Sequence, residues 1–143
     1  MKQQAHVVWF KRDLRITDHA PLLAASQQGE PIIPLYIIEP DYWQQSFASR
    51  RHWNYVHDCL VDLNEVLTDL GQPLVIKIGT ACDVFMKLSQ DYSINNIWAH
   101  EETGNRWTYD RDIAVRSNCS INGIIVHELP SNGVVRRLGN RDN

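Results

Sequence analysis

Glycine and cysteine are scarce in this chain. Seven glycines are dispersed through 143 residues, so no glycine-rich loop is available to cradle a phosphate. GxGxxG, P-loop, GxSxG and HExxH patterns are all missing. The three cysteines, Cys59, Cys82 and Cys119, stand far apart with no CxxC pair. That excludes a secreted disulfide scaffold and fits a reducing cytosol. His52 and His57 are five residues apart, off a shared helical face, and with Cys59 they fit no zinc-ligand spacing, so no metal is expected. Neither sign of charge dominates: the net charge is −3, too acidic overall for a surface devoted to nucleic-acid phosphates. Apolar runs are short; the one from Ile32 to Ile38 is broken by Pro34 and cannot span a bilayer. The first residues carry no signal-peptide core. A cytoplasmic protein without a membrane partner is the expectation.

What is present is alternation. With 43% apolar and 22% charged residues, the composition is that of one globular domain. Strand-like runs cover residues 6–10, 32–38, 74–78, 94–99 and 124–128, and helix-like segments cover 18–28, 49–70, 81–90 and 108–117. The strands read as continuous apolar runs, as in a parallel sheet covered on both faces. In the second helix Trp53, Val56, Leu60, Leu63, Leu67 and Leu70 step by three and four onto one face. Ser49 suits its N-cap and Gly71 its C-terminus, and Thr80 with Asp83 opens the next helix as a capping box.

Two loops are unusually polar. Lys11 to Asp18 follows the first strand, and His100 to Asp112 follows the fourth. Glu101 and Glu102 are adjacent, so in an extended segment they point apart and do not form a glycosidase-type dyad. After Glu128 the periodicity ends in a Pro-, Gly- and Asn-containing basic stretch, as in a linker.

The run Val7-Val8-Trp9-Phe10-Lys11-Arg12-Asp13-Leu14-Arg15-Ile16-Thr17-Asp18-His19 resembles the amino-terminal signature of the photolyase/cryptochrome family. Trp9, Phe10, Asp13, Leu14, Arg15, Asp18 and Leu22 match that signature; Lys11 stands where Arg is usual and His19 where Asn is usual. Tyr36-Ile37-Ile38-Glu39-Pro40, Arg51 and Asp110-Arg111-Asp112 resemble later elements. Trp107-Thr108 occupies the place of the Asn-Glu pair of folate-binding members, a departure from the folate pattern.

The resemblance implies a Rossmann-like three-layer α/β/α fold with a five-stranded parallel sheet of order 3-2-1-4-5. Residues 1–130 would form the α/β domain, and 131–143 would begin a linker to a helical FAD-binding domain that lies beyond this chain. It also implies that a full-length protein binds FAD and damaged DNA and reverses pyrimidine dimers with blue light, or signals as a cryptochrome. The fragment alone would not be catalytic. In many members the α/β domain holds an antenna chromophore: a deazaflavin, a flavin or methenyltetrahydrofolate. In such a sheet the winding reverses between strands one and four, where ligands bind. Trp9, Phe10, Arg12, Glu101, Glu102, Asn105 and Trp107 would then line the antenna crevice. Asp13, Arg15, Asp18, Arg51, Arg111 and Asp112 would brace the fold and its packing on the helical domain. Two alternatives stay open. One is a degenerate antenna site that serves only structure. The other is a nucleotide-binding module of the electron-transfer-flavoprotein or universal-stress type, which calls for a glycine-rich loop where the chain offers only Gly104.

Overall fold

A computed structural model describes residues 2–130; the expected linker, 131–143, lies outside the described residues. The elements are β1 (Gln3–Phe10), α1 (Ala20–Ser26), β2 (Ile32–Ile38), α2 (Pro40–Trp43), α3 (Arg50–Asp69), β3 (Val75–Ile78), α4 (Ala81–Asp91), β4 (Tyr92–His100), α5 (Arg106–Ile121) and β5 (Ile125–Leu129). All strand pairs are parallel and the order is β3-β2-β1-β4-β5, as expected.

The period-2 geometry of β1 divides the interior. Val7 and Trp9 face α4 and α5 in a core with Leu35, Ile37, Val84, Phe85, Ile97 and Val115. Val8 and Phe10 face α1 and α3 with Tyr36, Val56, Leu60, Leu63 and Leu67. Three layers follow. Burying each such side chain contributes roughly 1.5–3 kcal/mol. Pro34 is tolerated within β2 because β3 begins only opposite Leu35, so Pro34 pairs on one side alone.

Caps explain most boundaries. Ser49 and Thr80 accept hydrogen bonds from the backbone N–H groups of His52 and Asp83, as their positions imply. Several features differ from the sequence expectation, among them β1 starting at Gln3 rather than 6, α1 covering Ala20–Ser26 rather than 18–28, and β4 starting at Tyr92 rather than 94. Helix α5 starts at Arg106 rather than 108, because the Asn105 side chain caps it through the Thr108 N–H. Residues 40–43 form the short helix α2, which is not among the helix-like segments of the sequence. Leu70 is the C-cap of α3 and 65% exposed, not part of the buried stripe. The two edge strands are not covered on both faces: Ile76, Ile78 and Ile125 are exposed.

Candidate functional site

The carboxyl ends of β1, β2 and β4 meet over a cavity of about 490 Å³. Volumes of this size suit a small organic ligand. Trp9 and Phe10 contribute from β1, Tyr36 and Glu39 from β2 and its end, Tyr42 and Trp43 from α2, and His52 from α3. Arg12, Glu102 and Arg111 supply charge. The aromatic walls support each other edge-to-face: the Tyr42 and Trp43 rings are 5.0 Å apart and Trp43 lies 5.1 Å from Trp53.

Two buried polar clusters hold this end of the sheet together. In the first, the Asp13 carboxylate is the hub. Its Oδ1 accepts from the Lys11 N–H at 2.8 Å, and its Oδ2 lies 2.6 Å from His100 Nδ1. His19 Nε2 is 2.5 Å from the same Oδ2, though off the preferred hydrogen-bond angle. Burial alone would raise the Asp13 pKa; the contacts from His100, His19 and Lys11 outweigh it and hold the carboxyl well below the usual range. His19 is also the N-cap of α1, its Nδ1 accepting from the Leu22 N–H at 3.1 Å. One aspartate thus ties the β1 turn, the α1 start and the β4 end.

Asp13, His19 and His100 also place their ligand-type atoms within 4.8 Å of one another. The ring chemistry speaks against a metal there. A neutral imidazole has one lone pair, and at His19 the Leu22 N–H takes it. Metal-binding histidines instead donate from their second nitrogen. The cluster is a hydrogen-bonded clamp.

In the second cluster the hub is the Arg111 guanidinium, which bonds Glu39, Glu102 and Asp112. Lys11 Nζ reaches Asp112 at 3.1 Å and the His100 carbonyl at 3.1 Å. The Lys11 ammonium also sits 4.4 Å from the Trp9 ring centre, and Arg111 4.8 Å from it. Burial pushes Glu39 up to about 7, against the pull of Arg111, and also raises Glu102. Burial opposes the charge on Arg111 itself, but the surrounding carboxylates hold its pKa above the ordinary value.

The expected crevice residues separate. Trp9, Phe10, Arg12 and Glu102 line the cavity, with Trp9 and Phe10 otherwise buried in the two cores. Trp107 lines a second, neighbouring cavity of about 540 Å³ that shares Glu39 and Arg111 with the first. Its ring stands 5.5 Å from Tyr42. Glu101 is exposed beside a small recess at the β4 loop, and Asn105 is a helix cap. Of the expected bracing residues, Asp13, Arg111 and Asp112 belong to the clusters. Arg15 binds the carbonyls of Thr17 and Asp18, Asp18 adopts a positive φ of 53°, and Arg51 is exposed on α3. Sequence reading placed Glu39, Tyr42, Trp43, His19 and His100 in neither the crevice nor the bracing set. Their signal was the strand order, which sets the β2 and β4 ends beside the β1 end.

Comparison with known proteins agrees with this architecture. Cryptochrome DASH of Solanum lycopersicum, a chloroplastic/mitochondrial protein, is 31% identical over 68% of this chain and 18% of its own length. Cryptochrome DASH of Synechocystis is 30% identical over 67% of the chain and 21% of its own length. A class III photolyase from Agrobacterium tumefaciens superposes with a TM-score of 0.76 at 26% identity, covering 91% of this chain and 26% of that one. An archaeal photolyase from Sulfolobus tokodaii, solved with two FAD molecules, shares the fold with a TM-score of 0.80 at 23% identity, covering 89% of this chain and 29% of that one. The chain spans about a fifth of the length of the curated relatives it matches. Among the described residues no helix is long and apolar enough to cross a membrane. Residues 6–138 match the DNA photolyase family, and with the parallel sheet of order β3-β2-β1-β4-β5 they establish that the chain belongs to that family, as the α/β domain of its members.

Proposed function

We propose that the cavity over β1, β2 and β4 holds the antenna chromophore of a photolyase-type flavoprotein. The observation that carries this reading is the cavity itself: about 490 Å³, walled by Tyr42, Trp43 and Tyr36, with Glu102 and Arg12 at hand. A planar heteroaromatic ring stacks on such walls and donates ring N–H groups to carboxylates. Light harvesting needs a fixed position and orientation, which the two buried clusters supply. Trp107, Glu101 and Asn105 belong to the wider rim. The Sulfolobus protein, whose two FAD molecules implicate a novel light-harvesting cofactor, supports a flavin as one candidate occupant beside a deazaflavin or methenyltetrahydrofolate. In this reading FAD sits in a helical domain beyond residue 143. The complete protein then acts on damaged DNA, reversing pyrimidine dimers in blue light, and Arg51 and Asp18 face the helical domain.

The test is a near-ultraviolet and visible absorption spectrum of the purified chain, alone and with each candidate chromophore. A retained or shifted chromophore band that is lost in Trp43→Ala supports the site. A spectrum of tryptophan and tyrosine alone under every condition overturns it. The cryptochrome relatives favour a second reading, a photoreceptor. Dimer repair by the full-length protein under blue light separates the two.

A further inference from the structure

We propose that the Glu39–Arg111 ion pair is a gate between the two neighbouring cavities, closed while Glu39 is ionised and opened by one proton on its carboxylate. Opening joins the two cavities into one chamber. The proposal concerns the chain itself and does not depend on which ligand the first cavity takes.

The wall between the cavities is made of side chains. Of all the residues that line them, Glu39 and Arg111 alone are common to both. One comes from the end of β2 and the other from α5. Beside the pair, Tyr42 on the first cavity packs edge-to-face on Trp107 of the second, at 5.5 Å. A wall of this kind can part by a change of rotamer, with the sheet and helices left in place.

Arg111 is the fixed post of the gate. Its Nη2 donates to Glu102 and its Nε to Asp112, so two of its three nitrogens stay held when Glu39 lets go. Nη1 alone serves Glu39. Glu39 is the leaf, because the three carboxylates around Arg111 are unequally served. Asp112 also has Lys11 at 3.1 Å, and Glu102 also has Arg12 at 3.8 Å. Among the described residues Glu39 pairs with Arg111 only. Two buried cations, Lys11 and Arg111, face three buried carboxylates. The cluster therefore favours one added proton, and the carboxylate with the fewest cations is its place.

Burial sets the range, since it holds Glu39 up at about 7. The groups that face it from the other elements do not compete. Tyr36 on β2, Tyr42 on α2 and Cys82 on α4 are all raised by burial and stay neutral there. Arg111 stays charged. Glu102 is also raised but keeps its second cation. Asp41 on α2, Asp83 on α4, Asp110 on α5 and His52 on α3 line one cavity or the other. Once Glu39 is neutral, its bond to Nη1 loses its charge assistance, and neutral bonds are roughly half as strong.

The experiment is nitrogen-15 NMR of the Arg111 guanidinium in the 143-residue chain, from about pH 8.5 to about pH 5.5. It follows water exchange at Nη1–H relative to Nη2–H, which stays bonded to Glu102 and serves as the internal reference. Nη1 stands in the wall, so water reaching it is the opening. The ratio should rise about tenfold on acidification, the factor that separates a charge-assisted bond from a neutral one. Its midpoint should lie near 7 and coincide with that of the Glu39 carboxyl carbon. Glu39→Gln keeps the shape without the charge and should show the high ratio at every pH. Histidines titrate in the same range, so His52→Gln is the control and should keep the native response. A flat ratio while the Glu39 carboxyl titrates overturns the gate. So does a response that survives in Glu39→Gln or disappears in His52→Gln, and so does an Nη1 midpoint that departs from that of Glu39.

Discussion

The two buried clusters at the carboxyl end of the sheet are built on opposite plans. Around Asp13 a single carboxylate faces N–H groups from Lys11, His100 and His19. Donors exceed acceptor charge, and the carboxyl stays ionised far below its usual range. Around Arg111 a single guanidinium faces Glu39, Glu102 and Asp112. Negative charge exceeds positive, and Glu39 is pushed up to about 7 by its burial. The first cluster locks a backbone turn. The second stands in the wall between two cavities and takes up a proton near neutrality. Burial raises both carboxyls, and the difference lies in the compensation: the N–H groups around Asp13 outweigh its burial, whereas Arg111, shared among three carboxylates, does not outweigh that of Glu39.

Removing each hub should break the comparison unequally. Arg111→Met leaves three carboxylates without their common partner. Breaking a buried ion network from one side costs about 3–5 kcal/mol, and urea unfolding at pH 7.5 should show a loss of that size, partly recovered at pH 5 as the carboxylates protonate. A loss below about 1 kcal/mol would mean that water already solvates the cluster.

Asp13→Asn replaces charge-assisted bonds by neutral ones and should cost about 1.5–3 kcal/mol at pH 7. The sign of its pH dependence is set by the depressed native pKa. The unfolded state binds the proton first as pH falls, so this contribution to stability is present above about pH 4 and is lost below it. The Asn variant should therefore lose less stability than the native chain between neutral pH and strong acid, as urea midpoints across that range would reveal.

The last effect is read as a slope of stability against pH and sharpens the contrast. Glu39 has a raised native pKa, so the folded state holds the proton between the ordinary value near 4.5 and about 7. Its contribution is fullest below about pH 4.5 and declines as pH rises through that window, by at most about 1.4 kcal/mol per pH unit. Glu39→Gln should flatten the stability profile there while leaving the acid limb governed by Asp13 in place. Glu102, also raised, would leave a weaker residual slope of the same sign.

Much of the fold was legible. Apolar runs in β1, β2 and β4 and the three-and-four spacing in α3 are local signals with a direct physical cause, and Ser49 and Thr80 marked two helix starts correctly. The boundary at α5 was misplaced because Asn105 lies inside a polar loop, where a cap looks like any other polar residue. The site was half legible. Arg12 and Glu102 stood out as charge in loops after strands, and they line the cavity. Glu39 read as part of a family-like element but not as a site residue, because its partner Arg111 lies 72 positions away.

Sequence alone therefore determined the order of strands and helices, the two-faced burial of β1 and the family to which the chain belongs. These follow from periodicity and from a contiguous motif. Tertiary structure alone decided that Asp13 meets His100 across 87 positions and that Arg111 meets Glu39 across 72. It also decided that Trp107 stands in a second cavity and not the first. Strand order brings these residues together, and burial then sets their charge; neither is a property of any local stretch of chain.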